Sequence, residues 1–141
     1  MSETTSPADA RLPELVRSAR EAMGRAYAPY SKFRVGAALV GRDGSVTQGC
    51  NVENAAYPSS ICAERGALMA AVAAGVRRFD LLVLATESDD PAPPCGQCRQ
   101  MLVEFAPSLP IVSVTRSGRE QRWSLAELLP SAFIPTFLPP E

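Results

Sequence analysis

The sequence contains no histidine, and this absence excludes several kinds of active site. A serine–histidine triad, a histidine general base and a histidine metal ligand are all ruled out. Aromatic residues are also scarce, with one tryptophan, three tyrosines and five phenylalanines among 141 residues. Proteins that bind single-stranded nucleic acid stack its bases on aromatic side chains, so we expect no such partner. If the protein is an enzyme, cysteines and carboxylates must carry its chemistry.

Charge and hydropathy exclude further classes of protein. The 14 basic and 15 acidic residues give a net charge of -1, so the chain lacks the excess of positive charge that nucleic-acid-binding proteins use. No run approaches the roughly 18 consecutive apolar residues of a membrane-spanning helix, so we expect no membrane partner. Residues 1–7 are small and polar and lack the features of a secretory signal. We expect them to be flexible and the protein to be cytoplasmic.

The length and the apolar pattern predict one domain, residues 1–141, of the α/β class. Four segments have helical periodicity or composition, and they are residues 8–27, 62–76, 96–105 and 125–129. Five segments have the apolar pattern of strands, and they are residues 33–40, 45–49, 79–86, 111–115 and 121–123. This alternation predicts a three-layer α/β/α sandwich with a mixed central sheet.

The four cysteines are the most informative residues of the sequence. Cys95 and Cys98 are separated by two residues at a predicted loop-to-helix junction. That spacing suits a disulfide, a redox pair, or a zinc site that also includes Cys62. Glu64 follows Cys62 by two residues, and the Cys95 pair lies in a P-C-x-x-C motif. This combination matches the signature of the zinc-dependent nucleobase deaminases.

The zinc interpretation explains more residues than its rivals. A redox pair would leave Cys62 and Glu64 without a role, and a structural zinc site usually has four ligands. We therefore predict one catalytic zinc per chain, held by Cys62, Cys95 and Cys98. A closed four-cysteine site that also uses Cys50 is the alternative.

The predicted ligands require a general base and a source of positive charge. A zinc ion with three protein ligands leaves a position for water and lowers the pKa of that water. Glu64 is the expected general acid and base. Three thiolates on Zn²⁺ leave a formal charge of -1, and Arg65 and Arg99 can offset it by donating hydrogen bonds to sulfur. The positive ends of the two predicted helices act in the same direction.

Five stretches of the sequence resemble the homotetrameric, zinc-dependent cytidine deaminases that act on free nucleosides. They are AYAPYSKFRVGAAL (26–39), GCNVENAAY (49–57), CAER (62–65), PCGQCRQ (94–100) and LLPSAF (128–133). The resemblance implies a five-stranded sheet with zinc at the N-termini of two helices. It also implies hydrolysis of cytidine and 2′-deoxycytidine to uridine and 2′-deoxyuridine, with release of ammonia, in pyrimidine salvage.

The resemblance further implies how a nucleoside substrate is held. Phe33 resembles the aromatic residue that packs on the pyrimidine. Asn51 and Glu53 resemble the pair that binds the ribose hydroxyls. Ala63 matches a position whose backbone N–H contacts the carbonyl oxygen of the base.

Two aromatic residues resemble groups that reach a neighbouring subunit of a homotetramer. Phe133 matches a residue that closes the neighbour's pocket over the pyrimidine. Tyr57 matches a second residue that contributes to the active site of a neighbouring subunit. One position departs from the family pattern, because Pro93 stands where a small hydroxyl residue is usual. Proline keeps the backbone carbonyl that the family uses near the leaving amine, so we expect activity to survive.

Two other functions remain open from the sequence. One is deamination of a modified cytosine nucleoside such as blasticidin S, whose enzymes share the zinc cysteines and the glutamate. The other, from a different class, is a non-catalytic interaction domain with a structural zinc site, in which Glu64 would be dispensable. Release of ammonia from a nucleoside separates the enzymes from the interaction domain.

Overall fold

A computed structural model describes residues 6–140 and places a five-stranded sheet at the centre of the protein. The strands are β1 (Val35–Gly41), β2 (Val46–Cys50), β3 (Phe79–Thr86), β4 (Pro110–Val114) and β5 (Glu120–Ser124). The α-helices are α1 (Pro7–Ala10), α2 (Leu12–Met23), α3 (Ala63–Ala73), α4 (Gly96–Val103) and α5 (Leu125–Leu128). Single 3₁₀ turns lie at Tyr57–Ser59 and Pro135–Phe137.

The sheet is mixed, as predicted. Its strand order is β2-β1-β3-β4-β5. β3 and β4 are parallel and are connected through α4, whereas the other neighbouring strands are antiparallel. A parallel pair needs such a crossover, and this one brings the start of α4 to the end of the sheet where β3 finishes.

Helices cover both faces of the sheet, which confirms the predicted sandwich. Leu82 and Leu84 of β3 face a core formed with α3, α4 and α5. Leu81 and Val83 of the same strand face a core formed with α1 and α2. Because both faces of β3 are buried, its sequence is apolar except at Asp80 and Thr86, and its predicted bounds are those observed. None of the helices found between residues 6 and 140 has the length and apolar character to span a bilayer.

The first helix was wrongly predicted as one segment over residues 8–27. The structure divides it at Arg11 into α1 and α2, and α2 ends at Met23. Pro13 explains the break, because proline lacks a backbone N–H and is favoured in the first turn of a new helix. Gly24, a poor helix former, caps the end. The apolar periodicity continued across the break because Ala8 packs into the same core.

The N-terminal segment that we expected to be flexible lies partly outside the described residues, which begin at Ser6. Ser6 caps α1, since its side chain accepts a hydrogen bond from the backbone N–H of Asp9. The Asp9 carboxylate accepts one in return from the backbone N–H of Ser6. This reciprocal pair is a capping box, and it fixes where α1 begins.

Gly49 in β2 sets the position of α3. A Cβ atom at this residue would lie 2.3 Å from the carbonyl oxygen of Ala63 and 2.5 Å from the backbone nitrogen of Ala67. Both contacts are too short for any side chain, so α3 approaches the sheet this closely only because residue 49 is glycine. The first turn of α3, which follows Cys62, is thereby held against the sheet.

Candidate metal centre and active-site cavity

Three cysteines from two helix starts converge at one end of the sheet. Cys62 is the N-cap of α3, Cys95 is the N-cap of α4, and Cys98 lies in the first turn of α4. The Sγ atom of Cys95 lies 3.8 Å from that of Cys62 and 3.2 Å from that of Cys98, and all three lie within 4.8 Å of one another. Tetrahedral zinc with bonds of about 2.3 Å would hold its sulfur ligands about 3.8 Å apart.

The chemistry of the cluster also fits zinc. The four cysteines are free, and Cys50, at the end of β2, lies outside the group of three. The nearby Cys98 thiol lowers the pKa of Cys62, and Arg65 adds to this effect. The same contact with Cys62 raises the pKa of Cys98. A divalent cation bonded to all three sulfurs would favour three thiolates, so these residues form the site for the zinc cofactor.

Glu64 lies beside the cysteine cluster with little contact with water. It is the second residue of α3, and only 6% of its surface is exposed. Burial raises the pKa of its carboxyl to about 7, and the nearby charge of Cys62 acts in the same direction. A carboxyl with a pKa near neutrality can both accept and donate a proton.

Arg65 contacts the cysteine cluster through Cys62. Its guanidinium lies 4.0 Å from the Cys62 sulfur and donates a hydrogen bond of 3.0 Å to the carbonyl oxygen of Ser60. Its Nε is buried and has no partner among residues 6–140. Positive charge at this place favours the thiolate form of Cys62.

The prediction for Arg99 was wrong in detail. Its guanidinium donates to the carbonyl oxygens of Pro94, at 2.7 Å, and Leu128, at 2.8 Å, rather than to sulfur. Arg99 follows Cys98 in α4 and points along the helix toward the loop before Cys95. The bond to Pro94 therefore fixes the loop before Cys95, and the bond to Leu128 connects α4 to α5.

A cavity of about 200 Å³ opens beside Glu64 and the cysteines. Its walls come from the start of β1, the end of β3, the loops before β1, after β2 and after β3, and the starts of α3 and α4. The residues that line it are Ser31, Phe33, Val35, Asn51, Glu53, Cys62, Glu64, Leu84, Thr86, Ala92, Pro93 and Cys95. A larger depression of about 490 Å³ near Arg42 and Phe105 has no thiol in its walls. The smaller cavity, which contains Cys62, Glu64 and Cys95, is therefore the candidate active site.

The two predicted sugar-binding residues line the cavity. The Asn51 side chain accepts a hydrogen bond from the backbone N–H of Val35 at 2.8 Å and donates one to the carbonyl of Phe33 at 2.7 Å. The Glu53 carboxylate accepts from the backbone N–H groups of Tyr30, at 2.9 Å, and Ser31, at 3.0 Å, and from the Ser31 hydroxyl. These bonds lower the pKa of Glu53, with the Ser31 hydroxyl as the main cause.

The structure separates two predicted substrate residues from this cavity. The side chain of Tyr57 is 70% exposed and packs edge-to-face against Tyr30. Phe133 is 58% exposed and stacks on Phe137, with ring centroids 5.8 Å apart. Neither residue lines the cavity of its own chain. Ala63, in contrast, is the first residue of α3, where a helix leaves its backbone N–H free.

Some residues of the cavity were not singled out from the sequence. Ser31 lies in the loop before Phe33 and joins Glu53 to that loop. Thr86 ends β3 and faces the cavity beside Leu84. The only sequence signal for Thr86 is a hydroxyl at the end of an otherwise apolar strand, which is also typical of a strand end with no function.

Known proteins are similar to this chain in both sequence and fold. The family profile described as "Cytidine and deoxycytidylate deaminase zinc-binding region" matches residues 10–114. Cytidine deaminase from Sporosarcina psychrophila is 44% identical over 121 residues, which are 85% of this chain and 89% of that protein. Cytidine deaminase from Halalkalibacterium halodurans is 43% identical over 120 residues, covering 84% and 91% of the two chains.

Solved structures give the same result. The crystal structure of cytidine deaminase from Burkholderia pseudomallei superposes with a TM-score of 0.83 at 47% identity, covering 86% of this chain and 98% of that one. Cytidine deaminase from Mycobacterium tuberculosis superposes with a TM-score of 0.75 at 37% identity, covering 86% and 96%. The sequence match and the fold match therefore extend over most of the same residues.

Proposed function

This chain belongs to the cytidine deaminase family, and we propose that it hydrolyses cytidine and 2′-deoxycytidine to uridine and 2′-deoxyuridine. Water replaces the amino group at C4 of the pyrimidine, and ammonia leaves. The observation that carries the proposal is the buried Glu64 carboxyl, which shares one cavity with Cys62 and Cys95. This reaction serves pyrimidine salvage.

The residues of the site supply what such a hydrolysis needs. Zinc held by Cys62, Cys95 and Cys98 would supply a Lewis acid that lowers the pKa of a water molecule. The Glu64 carboxylate takes a proton from the attacking water and delivers it to N3 of the ring. It then carries the second proton to the amino group, which departs as ammonia. A pKa near 7 suits a group that must gain and lose a proton in turn.

The cavity offers contacts for each part of a nucleoside. Phe33 lines the cavity and presents an aromatic face on which the base can pack. The free N–H of Ala63 can donate to the carbonyl oxygen of the base. Asn51 and Glu53 lie at the sugar end, where a carboxylate and an amide can accept from and donate to hydroxyl groups.

The substrate that fits this cavity is a free nucleoside rather than a nucleotide. Within residues 6–140, the side chains that line the cavity include no lysine or arginine to bind a phosphate. Glu53 adds a negative charge at the sugar end, which would repel one. We expect CMP to be a very poor substrate beside cytidine.

The exposed aromatic residues support a homotetramer with shared active sites. Phe133, Phe137 and Leu138 are all more than half exposed, although apolar patches of this kind are usually covered in soluble proteins. A second copy of the chain would cover them, and Phe133 and Tyr57 would then close the cavity of a neighbour. The location that we propose is the cytoplasm, where reducing conditions keep the three thiols available for zinc.

An ammonia-release assay tests this function. The purified protein is incubated with cytidine, 2′-deoxycytidine, CMP and blasticidin S, and its zinc content is measured in parallel. We expect turnover of the first two substrates with about one zinc per chain. Turnover of blasticidin S alone would favour the antibiotic deaminase, and zinc binding without any turnover would favour an interaction domain.

A further inference from the structure

The Glu87 carboxylate joins the segment before β1 to the end of β3. It accepts a hydrogen bond of 3.2 Å from the backbone N–H of Arg34 and one of 2.8 Å from the Nε atom of the same residue. Arg116, two residues after β4, places its guanidinium 3.3 Å from the carboxylate. Only 13% of the Glu87 side chain is exposed, so water competes weakly for these contacts. One side chain therefore connects chain segments from three neighbouring strands of the sheet.

This contact lies where the backbone pairing of β1 with β3 ends. The last pair of the register at this end is Val35 with Thr86, and both residues line the cavity. One step further, the register sets Arg34 opposite Glu87. There the side-chain carboxylate, rather than a further backbone pair, binds the N–H of Arg34. The contact thus extends the connection between the two strands by one residue at the wall of the cavity.

The position of Phe33 depends on bonds to the backbone around it. Its side chain lines the cavity but is 37% exposed, so packing alone does not fix the ring. The N–H of Phe33 donates to the Ser31 hydroxyl at 3.0 Å, and its carbonyl accepts from Asn51. The next residue, Arg34, is held by Glu87. Ser31 and Asn51 line the cavity and are open to a ligand, whereas Glu87 holds this segment from outside it.

We propose that Glu87 is a positioning residue that holds Phe33 at the cavity and thereby sets the affinity of the site for the base of its substrate. This inference rests on the proposed function, since it assumes that a cytosine base packs on Phe33. A ring that packs on the base contacts it before and during the reaction alike. Moving the ring therefore changes KM more than kcat.

Glu87→Ala removes every contact of the carboxylate and is the direct test. Asp9→Ala is the matched control, because the Asp9 carboxylate also accepts from one arginine, Arg122, at 2.6 Å, and from one backbone N–H, that of Ser6, at 3.3 Å. The Asp9 side chain is also mostly buried, and neither it nor Arg122 lines the cavity. Glu87→Gln keeps an oxygen that can accept from the N–H of Arg34 but loses the charge.

Each zinc-loaded variant is assayed for kcat and KM on cytidine at a temperature well below its Tm. Its zinc content is measured, and the Kd of uridine is determined by calorimetry as a readout that needs no turnover. We expect Glu87→Ala to raise KM and the Kd of uridine by about tenfold, with kcat within about threefold of the wild type. Glu87→Gln should raise both by about threefold, and Asp9→Ala should lower Tm while KM stays within about twofold.

Three results would overturn the inference. In the first, Glu87→Ala keeps the KM and the uridine Kd of the wild type. In the second, kcat and zinc content fall instead of affinity, which would show that Glu87 acts through the loop that leads to Cys95 rather than through Phe33. In the third, Glu87→Ala and Asp9→Ala change KM equally, which would indicate a general effect of lost stability.

The wild type distinguishes this inference from the function beneath it. If the zinc-loaded wild type releases ammonia from cytidine and Glu87→Ala has the same KM, only the role of Glu87 fails. If the wild type releases none, the proposed function fails, and the inference fails with it.

Discussion

The side-chain amide of Asn51 donates a hydrogen bond of 2.7 Å to the carbonyl oxygen of Phe33. The oxygen of the same amide accepts a bond of 2.8 Å from the backbone N–H of Val35. One side chain from the loop after β2 thereby fixes the entry into β1, and with it the aromatic ring that lines the cavity. The resemblance assigns Asn51 to the sugar, and the structure adds a second task, which is to hold Phe33 in place.

Replacing Asn51 with alanine should therefore affect both stability and catalysis. The variant removes two partly exposed hydrogen bonds, to the N–H of Val35 and the carbonyl of Phe33, so we expect a loss of about 1 kcal/mol in the free energy of unfolding. We also expect kcat/KM on cytidine to fall by more than tenfold. Asn54→Ala is the control, since the Asn54 side chain accepts a bond from the backbone N–H of Ala56 in an exposed loop. Equal effects of the two substitutions in urea unfolding and in kinetics would contradict the role of Asn51.

Zinc binding should depend on three of the four cysteines. Serine at residue 62, 95 or 98 removes a thiolate from the cluster, so each of these variants should lose most of its zinc after gel filtration. Cys50→Ser should keep about one zinc per chain, because Cys50 lies outside the cluster. Metal analysis of the four variants checks this prediction. Loss of zinc from Cys50→Ser would indicate a closed four-cysteine site and would count against the enzyme.

Removal of the Glu64 carboxylate should abolish turnover without removing the metal. Glu64→Gln keeps the shape of the side chain but cannot transfer protons, and Glu64 serves more than one transfer. We therefore expect turnover to fall by more than the ~10²–10⁴ that is typical of a general acid or base. Glu14→Gln is a suitable control, since Glu14 also lies in the first turn of a helix but is exposed. A Glu64→Gln enzyme with a tenth of the wild-type turnover would exclude the role.

An element could be predicted from the sequence where burial alone determines its pattern of apolar residues. β3 was located to the residue because burial on both faces produces a nearly continuous apolar run. The helix predicted over residues 8–27 was wrong in its continuity at Arg11 and in its end, which lies at Met23, because apolar spacing does not register a break that leaves the next segment in the same core. Pro13 and Gly24 were the signals that should have divided and shortened it.

Within the site, the sequence could indicate ligands but not the direction of every side chain. The spacing of Cys62, Cys95 and Cys98 predicted a cluster that the structure brings together. Arg99 was predicted to contact sulfur from its position beside Cys98, yet the turn of α4 directs it to two carbonyl oxygens. The wall that contains Thr86 depends on how β1 pairs with β3, and no local pattern encodes that pairing.

An ion pair beside the cavity should make stability depend on pH. The Glu87 carboxylate accepts a hydrogen bond of 2.8 Å from Arg34, and this bond is the main cause that lowers the pKa of Glu87. Because the pKa is lower in the folded state than in the unfolded state, the pair stabilises the fold above the unfolded pKa of about 4.5. That stabilisation is lost as the pH falls through the folded pKa.

The comparison of wild type with Glu87→Gln isolates this effect. We expect the variant to have a lower Tm at pH 7, by a few degrees, and the difference to shrink steadily below about pH 4.5. Asp43→Asn is a useful control, because the pKa of Asp43 is lowered mainly by a hydrogen bond from the Ser45 hydroxyl rather than by an ion pair. Thermal unfolding between pH 3 and pH 8 measures both. A Tm difference that stays constant over that range would contradict the assignment.

Mixing two inactive variants tests whether neighbouring chains share active sites. If Phe133 closes the cavity of a neighbour, Phe133→Ala should lose most of its turnover on cytidine even though its own Glu64 and zinc are intact. A mixed assembly would contain sites with Glu64 from the Phe133→Ala chain and Phe133 from a Glu64→Gln chain. We therefore expect activity to return when the two variants are unfolded, mixed and refolded with zinc.

The matched control for this experiment mixes Glu64→Gln with Cys62→Ser. Both of those residues belong to the cavity of one chain, so each site with an intact Glu64 lacks a zinc ligand, and no activity should return. Sedimentation of the wild type should give a species four times the mass of the 15.0 kDa chain. A fully active monomer, or a Phe133→Ala enzyme with unchanged kcat and KM, would show that the exposed tail has no part in the site.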